Sequence, residues 1–248
     1  MFNIKKICNG VVSLLLVSTL MACTSAPDEV ERVNDRSPQA QYTEAKEALN
    51  MQMYNRAIAI LSGLESRYPF GPLTRQVQLD LMFAYYKSGK YAEALPAIDR
   101  FIKLNPNHPQ LDYVHYLRGL VNSESGENAF QNFFGIENAD KDMVTTRDAF
   151  NDFNMVVERF PTSKYVDESK KRMVTLLDKL AHHEMIIAEY YMRRSAYVAA
   201  INRCKYILEY YPQSSSLVPA LKLLVQAYDK LELNDLKEET QKVLAANS

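Results

Sequence analysis

Tryptophan is absent from the 248 residues, and only seven glycines and three cysteines occur. So few glycines, beside sixteen tyrosines, suit a helical, interface-rich chain better than a β-sandwich. The cysteines cannot build a disulfide framework: Cys8 and Cys23 fall in an N-terminal export segment, which leaves Cys204 alone. Cys204 lies on an apolar stripe, where it reads as a small buried hydrophobe rather than a nucleophile. There is no glycine-rich phosphate loop and no nucleophile elbow. His182-His183-Glu184 invites a metal reading, but a zincin motif needs a second histidine where Ile187 stands. Adjacent histidines also diverge by about 100° on a helix, so both cannot reach one ion well. Excess positive charge is missing too. Without the first 22 residues the chain carries 27 basic and 30 acidic side chains, net −3. That balance is a poor footprint for nucleic acid, whose phosphates need neutralising. The chain reads as non-enzymatic, with no cofactor and no metal.

What is present begins with export. Lys5 and Lys6 form a charged start, Val11 to Leu20 form an apolar run too short to span a bilayer, and Ala22 precedes Cys23. Leu20-Met21-Ala22-Cys23 resembles the bacterial lipoprotein signal, in which the cysteine is acylated and becomes the mature N-terminus. Met21 is the less usual residue in that pattern, and an ordinary signal with an incidental cysteine is the alternative. The resemblance makes 1–22 a signal peptide and Cys23 the lipidation site. Thr24, rather than an aspartate, directs such a protein to the outer membrane. Residues 23–38 are polar and aperiodic, as a tether would be.

From residue 39 to 248 the chain repeats itself. Counting back from Pro69, Pro106, Pro161 and Pro212, an alanine lies twelve residues earlier: Ala57, Ala94, Ala149 and Ala200. Large apolar residues lie eleven before (Ile58, Leu95, Phe150, Ile201). Leu61, Ile98, Phe153 and Cys204 follow at eight before, and Leu64, Phe101, Val156 and Ile207 at five. Offsets of three and four make one helical stripe, and each proline closes its helix. Partner helices are expected at Tyr42–Leu49, Gln76–Lys87, Tyr113–Asn122 and about 163–194. Starts are marked by Thr74 after Pro72, by His108-Pro109 and by Ser214–Ser216. A fifth pair, Leu217–Leu231 and Asp235–Ala246, has Lys237 where the alanine belongs, as a polar capping repeat would. The expected fold is all-α, a superhelical array of about five tetratricopeptide-like helix pairs. Proline spacings of 37, 55 and 51 residues exceed the nominal repeat of about 34. They place an insertion at about 123–142, holding Phe133-Phe134-Gly135, and lengthen the fourth pair's first helix by roughly four turns.

Such arrays line a groove with their first helices. On the second pair Leu81, Met82 and Tyr85 form the core face, and Gln76, Leu79, Phe83, Tyr86 and Lys87 a second stripe. Equivalent offsets select Tyr42, Lys46 and Leu49 in the first pair, and Tyr113, Tyr116 and Leu120 in the third. Aromatic residues with a polar rim favour a protein ligand. Tyr42, Leu49, Leu79, Phe83, Tyr86, Lys87, Tyr113 and Tyr116 are therefore the candidate substrate-binding residues; bracing between helices is the alternative role for the tyrosines.

Several longer motifs are more specific: R-Y-P-F-G-P (67–72), Q-V-Q-L-D-L (76–81), A-I-D-R-F-I-K-L-N-P-N-H-P (97–109), Y-L-R-G-L (116–120) and F-F-G (133–135). With them the chain resembles the BamD family, lipoproteins of the outer-membrane β-barrel assembly machinery, over nearly its whole length. The resemblance implies a lipid anchor in the outer membrane facing the periplasm, and a complex with the barrel protein BamA and the lipoproteins BamC and BamE. It implies that N-terminal repeats engage unfolded barrel proteins and C-terminal repeats dock on BamA. Arg203, in the matching Ile201-Asn202-Arg203 segment, would then be a partner-binding residue facing an acidic group. A generic adaptor lipoprotein, associated with competence or peptidoglycan, is the other reading.

Overall fold

The computed structural model describes residues 36–131 and 137–247; among them the chain is all-α, with ten helices and no strand. The export signal, Cys23 and Phe133-Phe134-Gly135 lie outside the described residues. In order the helices are α1 (Pro38–Asn50), α2 (Tyr54–Arg67), α3 (Thr74–Lys87), α4 (Tyr91–Leu104) and α5 (Leu111–Gln131). They continue as α6 (Glu137–Arg159), α7 (Val166–Arg193), α8 (Tyr197–Tyr210), α9 (Leu217–Lys230) and α10 (Asn234–Ala246). Two compact units divide the chain, Met1–Val77 and Gln78–Ser248. In the first, α1 packs on α2; in the second, α5 on α6, α7 on α8 and α9 on α10.

The four closing prolines act as the sequence requires. Helices α2, α4, α6 and α8 each end two residues before one of them. Tyr68, Asn105 and Tyr211, which precede prolines, have φ of −127°, −130° and −131°. These values lie outside the helical region, which the proline ring disfavours for the residue before it. The stripe behind each proline is interior. Ala57, Ala94, Ala149 and Ala200 are fully buried, as are Leu61, Ile98 and Phe153. Val156 and Ile207 are fully buried too, and Cys204, Leu64 and Phe101 nearly so. Fully burying a large apolar side chain stabilises by roughly 1.5–3 kcal/mol, so the stripes hold each hairpin closed. At eleven before the proline the pattern weakens: Ile58 and Ile201 are buried, while Leu95 and Phe150 only flank the core.

Two expectations about length resolve differently. Helix α7 has 28 residues against 14 in α3 and α9, an excess of about four turns. Helix α5, expected to stop near Asn122, runs on to Gln131, and α6 already begins at Glu137. No proline interrupts 123–131 and its single glycine is weak punctuation, so most of the looked-for insertion prolongs both arms of one hairpin. At the chain's end α10 buries no residue. Lys237 takes the alanine's place there and its Nζ donates to Asp229 Oδ1 of α9 at 2.6 Å.

Four hairpin turns share one geometry. Gln52, Gly89, Ser195 and Glu232 have φ of 58°, 73°, 57° and 58°, all left-handed. The amide after each donates to the carbonyl five residues earlier: Met53 to Ala48, Lys90 to Tyr85, Ala196 to Tyr191 and Leu233 to Tyr228. This Schellman closure favours glycine, yet only one turn has it. A side chain there costs about 1–2 kcal/mol, offset by the roughly 0.4–1 kcal/mol that glycine loses through unfolded-chain entropy. Ser195→Gly and Glu232→Gly are therefore expected to stabilise by about 0.5–1 kcal/mol, and Gly89→Ala to destabilise by a similar amount. Urea unfolding with unchanged slope is the measurement, and no gain from either glycine would contradict the strain assignment.

At Gly119 of α5 the Phe153 ring of α6 leaves no room for a side chain. A Cβ built there meets the Phe153 ring at 2.8–2.9 Å, and that ring is itself fully buried. Gly119→Ala should cost roughly 1–3 kcal/mol through overpacking. A paired Gly119→Ala/Phe153→Leu variant should recover part of the loss; a neutral Gly119→Ala in thermal unfolding would refute the close contact.

Candidate protein-binding surfaces

The first unit carries an apolar pocket of about 410 Å³. Its walls include Leu64, Tyr68, Phe70, Pro72, Leu73 and Val77, so the connection between α2 and α3 that follows Arg67 is also a wall. Local chemistry fixes the wall. Arg67 donates to the Gly63 carbonyl at 3.1 Å and to Gln41 Oε1 at 2.5 Å, while buried Gln41 donates to the Arg36 carbonyl at 2.6 Å. Both ends of the Gln41 amide are thereby satisfied, and the start of α1 is tied to the end of α2. Phe70 stands at the rim, 92% exposed. A large aromatic ring left in water beside an apolar hollow is a signature of a binding surface. The motif was visible in the sequence; the hollow was not, because it needs Ser37-Pro38-Gln39 brought to residues some thirty positions later.

The candidate groove residues divide between the units. Tyr42 and Leu49 belong to the first, Tyr42 half-buried and Leu49 buried. In the second, Leu79 is buried within the core, and Tyr86, Tyr113 and Tyr116 pack against the same core. Phe83 is half-buried and Lys87 exposed, with the Lys87 Nζ 5.9 Å from the Tyr86 ring centre. Each tyrosine has a specific neighbour. Tyr86 donates its hydroxyl to Glu124 Oε1 at 2.5 Å, and Tyr91 donates to Glu124 Oε2 at 2.8 Å. Burial and the Glu124 carboxylate push the Tyr86 phenol above its ordinary pKa. Tyr116 stacks on Tyr165 at 4.6 Å and 15°, and Tyr113 lies 5.8 Å from the same ring. Burial, then Tyr165, raises Tyr113 likewise. Glu124, Tyr91 and Tyr165 went unremarked in the sequence, since nothing in a helical stripe reveals what faces it.

Arg203 of α8 is half-exposed, and its Nη1 donates to Glu184 Oε2 of α7 at 3.0 Å. Glu184 is the acid of the His182-His183-Glu184 cluster, so its carboxylate is engaged by a guanidinium. The Cys204 thiol, alongside, is buried and pushed up to about 12 by desolvation. It is no nucleophile at neutral pH. Among the described residues no helix is long and apolar enough to cross a membrane.

The chain as a whole is also similar to known proteins. The sequence model of a family described as YfiO, outer membrane lipoprotein, matches residues 34–244. The chain is 38% identical over 234 residues to the outer membrane protein assembly factor BamD of Vibrio cholerae serotype O1, covering 94% of this chain and 96% of that one. It is 40% identical over 240 residues to the protein of the same name from Neisseria gonorrhoeae, covering 94% and 90%. Among solved structures, a tetratricopeptide repeat protein from Parabacteroides merdae matches at 14% identity and a TM-score of 0.39, over 85% of this chain and 80% of that one.

Helix α5 also buries His115, held against Phe160 with ring centres 6.0 Å apart. Burial first, then the Arg118 and Arg159 charges, lowers its pKa from 6.5 to about 4. The folded state therefore keeps the ring neutral where the unfolded state protonates it. Its contribution to stability is complete above about pH 6.5 and is lost as pH falls towards about 4. His115→Leu should flatten the fall in unfolding free energy between pH 7 and pH 5, whatever it does to stability at pH 7. An identical slope in both proteins would show that His115 does not stay neutral on folding.

Proposed function

This chain belongs to the YfiO family of outer membrane lipoproteins, and from that premise we propose that it is a non-enzymatic scaffold of outer-membrane β-barrel assembly. The observation that carries the reading is the extent of the match: relatives named as assembly factors align over 94% of the chain. In this role Cys23 bears the lipid that holds the protein to the outer membrane, and residues 39–248 hang in the periplasm. Acyl chains anchor through burial of methylenes at roughly 0.8 kcal/mol each. BamA, BamC and BamE are the partners. Unfolded barrel proteins are the substrates, and Arg203 in the C-terminal repeats contacts BamA.

A scaffold of this kind needs two protein-binding surfaces, one for client chains and one for the machinery. The pocket beside Phe70 suits a client, because an aromatic side chain of an extended segment fits an apolar hollow of about 410 Å³. Tyr42 and Leu49 of the first unit, and Leu79, Phe83, Tyr86, Lys87, Tyr113 and Tyr116 of the second, are the further client-contacting residues, with Phe83 the most direct anchor. Tyr86, Tyr113 and Tyr116 serve it while also bracing their helices.

A C-terminally tagged chain solubilised from membranes in mild detergent tests the reading, since a large outer-membrane barrel protein should co-purify with it. Peptides from barrel-protein C-termini should bind the full chain, and Phe70→Ala or Phe83→Ala should weaken them. Losing a good aromatic anchor typically costs about 2 kcal/mol, roughly thirtyfold in affinity. Recovery of no barrel protein, together with no loss of peptide binding in either variant, would end the scaffold reading.

A further inference from the structure

Gln41 is fully buried on α1, where the other buried residues are Ala45, Ala48 and Leu49. An interior helical position is normally apolar, because a buried amide must find partners for both its ends. Its partners here are the Arg36 carbonyl and the Arg67 guanidinium. Arg36 and Arg67 are exposed residues, so rescue of a buried charge is not what the amide supplies. It supplies a fixed spacing.

The two bonds reach the two sides of the apolar hollow. Arg36 immediately precedes Ser37-Pro38-Gln39, one wall, and Arg67 immediately precedes the wall that holds Tyr68, Phe70 and Pro72. The Gln41 backbone amide also donates to the Ser37 carbonyl at 3.0 Å, so one residue holds two successive carbonyls at the start of the first wall. Thr74 fastens the far end of the second wall. Its Oγ1 donates to the Tyr68 carbonyl at 3.2 Å and its amide to the Gly71 carbonyl at 3.3 Å. That clasp stays within the connection between α2 and α3, whereas the Gln41 clasp crosses from one wall to the other. Gln41 is not itself a lining residue.

We propose that Gln41 is a positioning residue that sets the specificity of the hollow: its side-chain amide fixes the gap between the two walls, so that the hollow selects an aromatic client side chain over a smaller aliphatic one. The proposal rests on the reading of the hollow as a client site and adds what governs its choice. Apolar contact is non-directional and lets walls slide together around whatever lies between them. Hydrogen bonds from one planar amide are directional and hold a distance. A hollow held open leaves a void around leucine, and atoms facing a void lose their contacts outright. A hollow free to close would fit leucine and phenylalanine nearly alike.

The test uses the tagged full chain in mild detergent and two labelled barrel-derived peptides, identical except for phenylalanine or leucine at the anchor position. Fluorescence anisotropy gives both affinities, and melting temperature is recorded for every variant. The wild type should prefer the phenylalanine peptide about tenfold or more. Gln41→Leu keeps the volume and removes both side-chain bonds. It should weaken the phenylalanine peptide severalfold and leave the leucine peptide nearly unchanged, so the preference collapses. Gln41→Glu still accepts from Arg67 but cannot donate to the Arg36 carbonyl, and its preference should fall between. Arg67→Ala cuts the other arm at an exposed residue and should narrow the preference as well. Combined with Gln41→Leu, Phe83→Ala should multiply the losses, because Phe83 belongs to the second unit. Phe70→Ala should give less than the product, since Phe70 sits on the wall that Gln41 positions. If Phe70→Ala weakens the phenylalanine peptide while Gln41→Leu and Arg67→Ala keep the wild-type preference, the proposal is refuted and the client reading stands. If Phe70→Ala changes nothing either, the hollow is not a client site and both fall. Equal losses for the two peptides in Gln41→Leu, with a lowered melting temperature, would make Gln41 a folding residue only and overturn the proposal. A wild type that binds both peptides alike overturns it outright. Should Gln41→Leu fail to fold, Arg67→Ala decides.

Discussion

Two helices joined by a short turn can close tightly only where nothing larger than a methyl group stands between their backbones, and this chain meets that condition once in each of four hairpins. Ala57, Ala94, Ala149 and Ala200 occupy the same place on successive second helices and none has exposed surface. The large apolar residues four and seven positions further along each helix can reach the facing helix because the alanine permits it. Gly119 is a stricter case of the same demand, set by the Phe153 ring rather than by a backbone. In α10, with Lys237 at that place, no residue is buried. The hydrophobic gain of each hairpin follows from a single small side chain, more than from the helix propensity of the segments.

Much of this was legible in the sequence because its causes are local. A proline fixes the conformation of the residue before it, so the ends of α2, α4, α6 and α8 could be counted from Pro69, Pro106, Pro161 and Pro212. Periods of three and four placed the interior stripes. The hairpin turns were legible only at Gly89, since Gln52, Ser195 and Glu232 adopt left-handed backbone with no residue signature. Helix continuation past Asn122 was hidden for a related reason. A repeat template expects a stop there, whereas residues 123–131 contain no strong one. Functional placement was the least legible. A stripe shows that Tyr86, Tyr113 and Tyr116 share a face with Leu79, but not that Glu124 and Tyr165 stand opposite, 38 and about 50 residues away.

Those distant partners change what the tyrosines cost to use. Glu124 accepts from Tyr86 and Tyr91 together, so a ligand that recruits either hydroxyl must leave a carboxylate oxygen unsatisfied or replace the bond. Stripping one partner from a buried charged group costs more than an ordinary hydrogen bond returns. The hollow beside Phe70 carries no such debt, being lined mainly by apolar side chains and already braced from behind by Arg67 and Gln41. On the proposed scaffold role, an extended client would gain most by placing an aromatic residue in that hollow, and less from the tyrosines, which are engaged with their own chain.

Ion pairs divide along the same line between closed and open arrangements. Arg118 lies between Asp99 and Asp152, and Asn122 donates to the second Asp152 oxygen at 2.8 Å. Every charge there has its counterpart, and the network links α4, α5 and α6. Arg203 has the inner acid alone. An exposed pair of that kind adds little to stability, about 0–1 kcal/mol, because water solvates its outer side well. Covering it changes the balance, since a guanidinium moved out of water needs donors satisfied on both sides, and a second carboxylate does that without moving the first. The chain thus keeps its completed arginine site where helices must be joined to one another. The half-completed one stands on the surface of α8, beside Tyr206 and Tyr210.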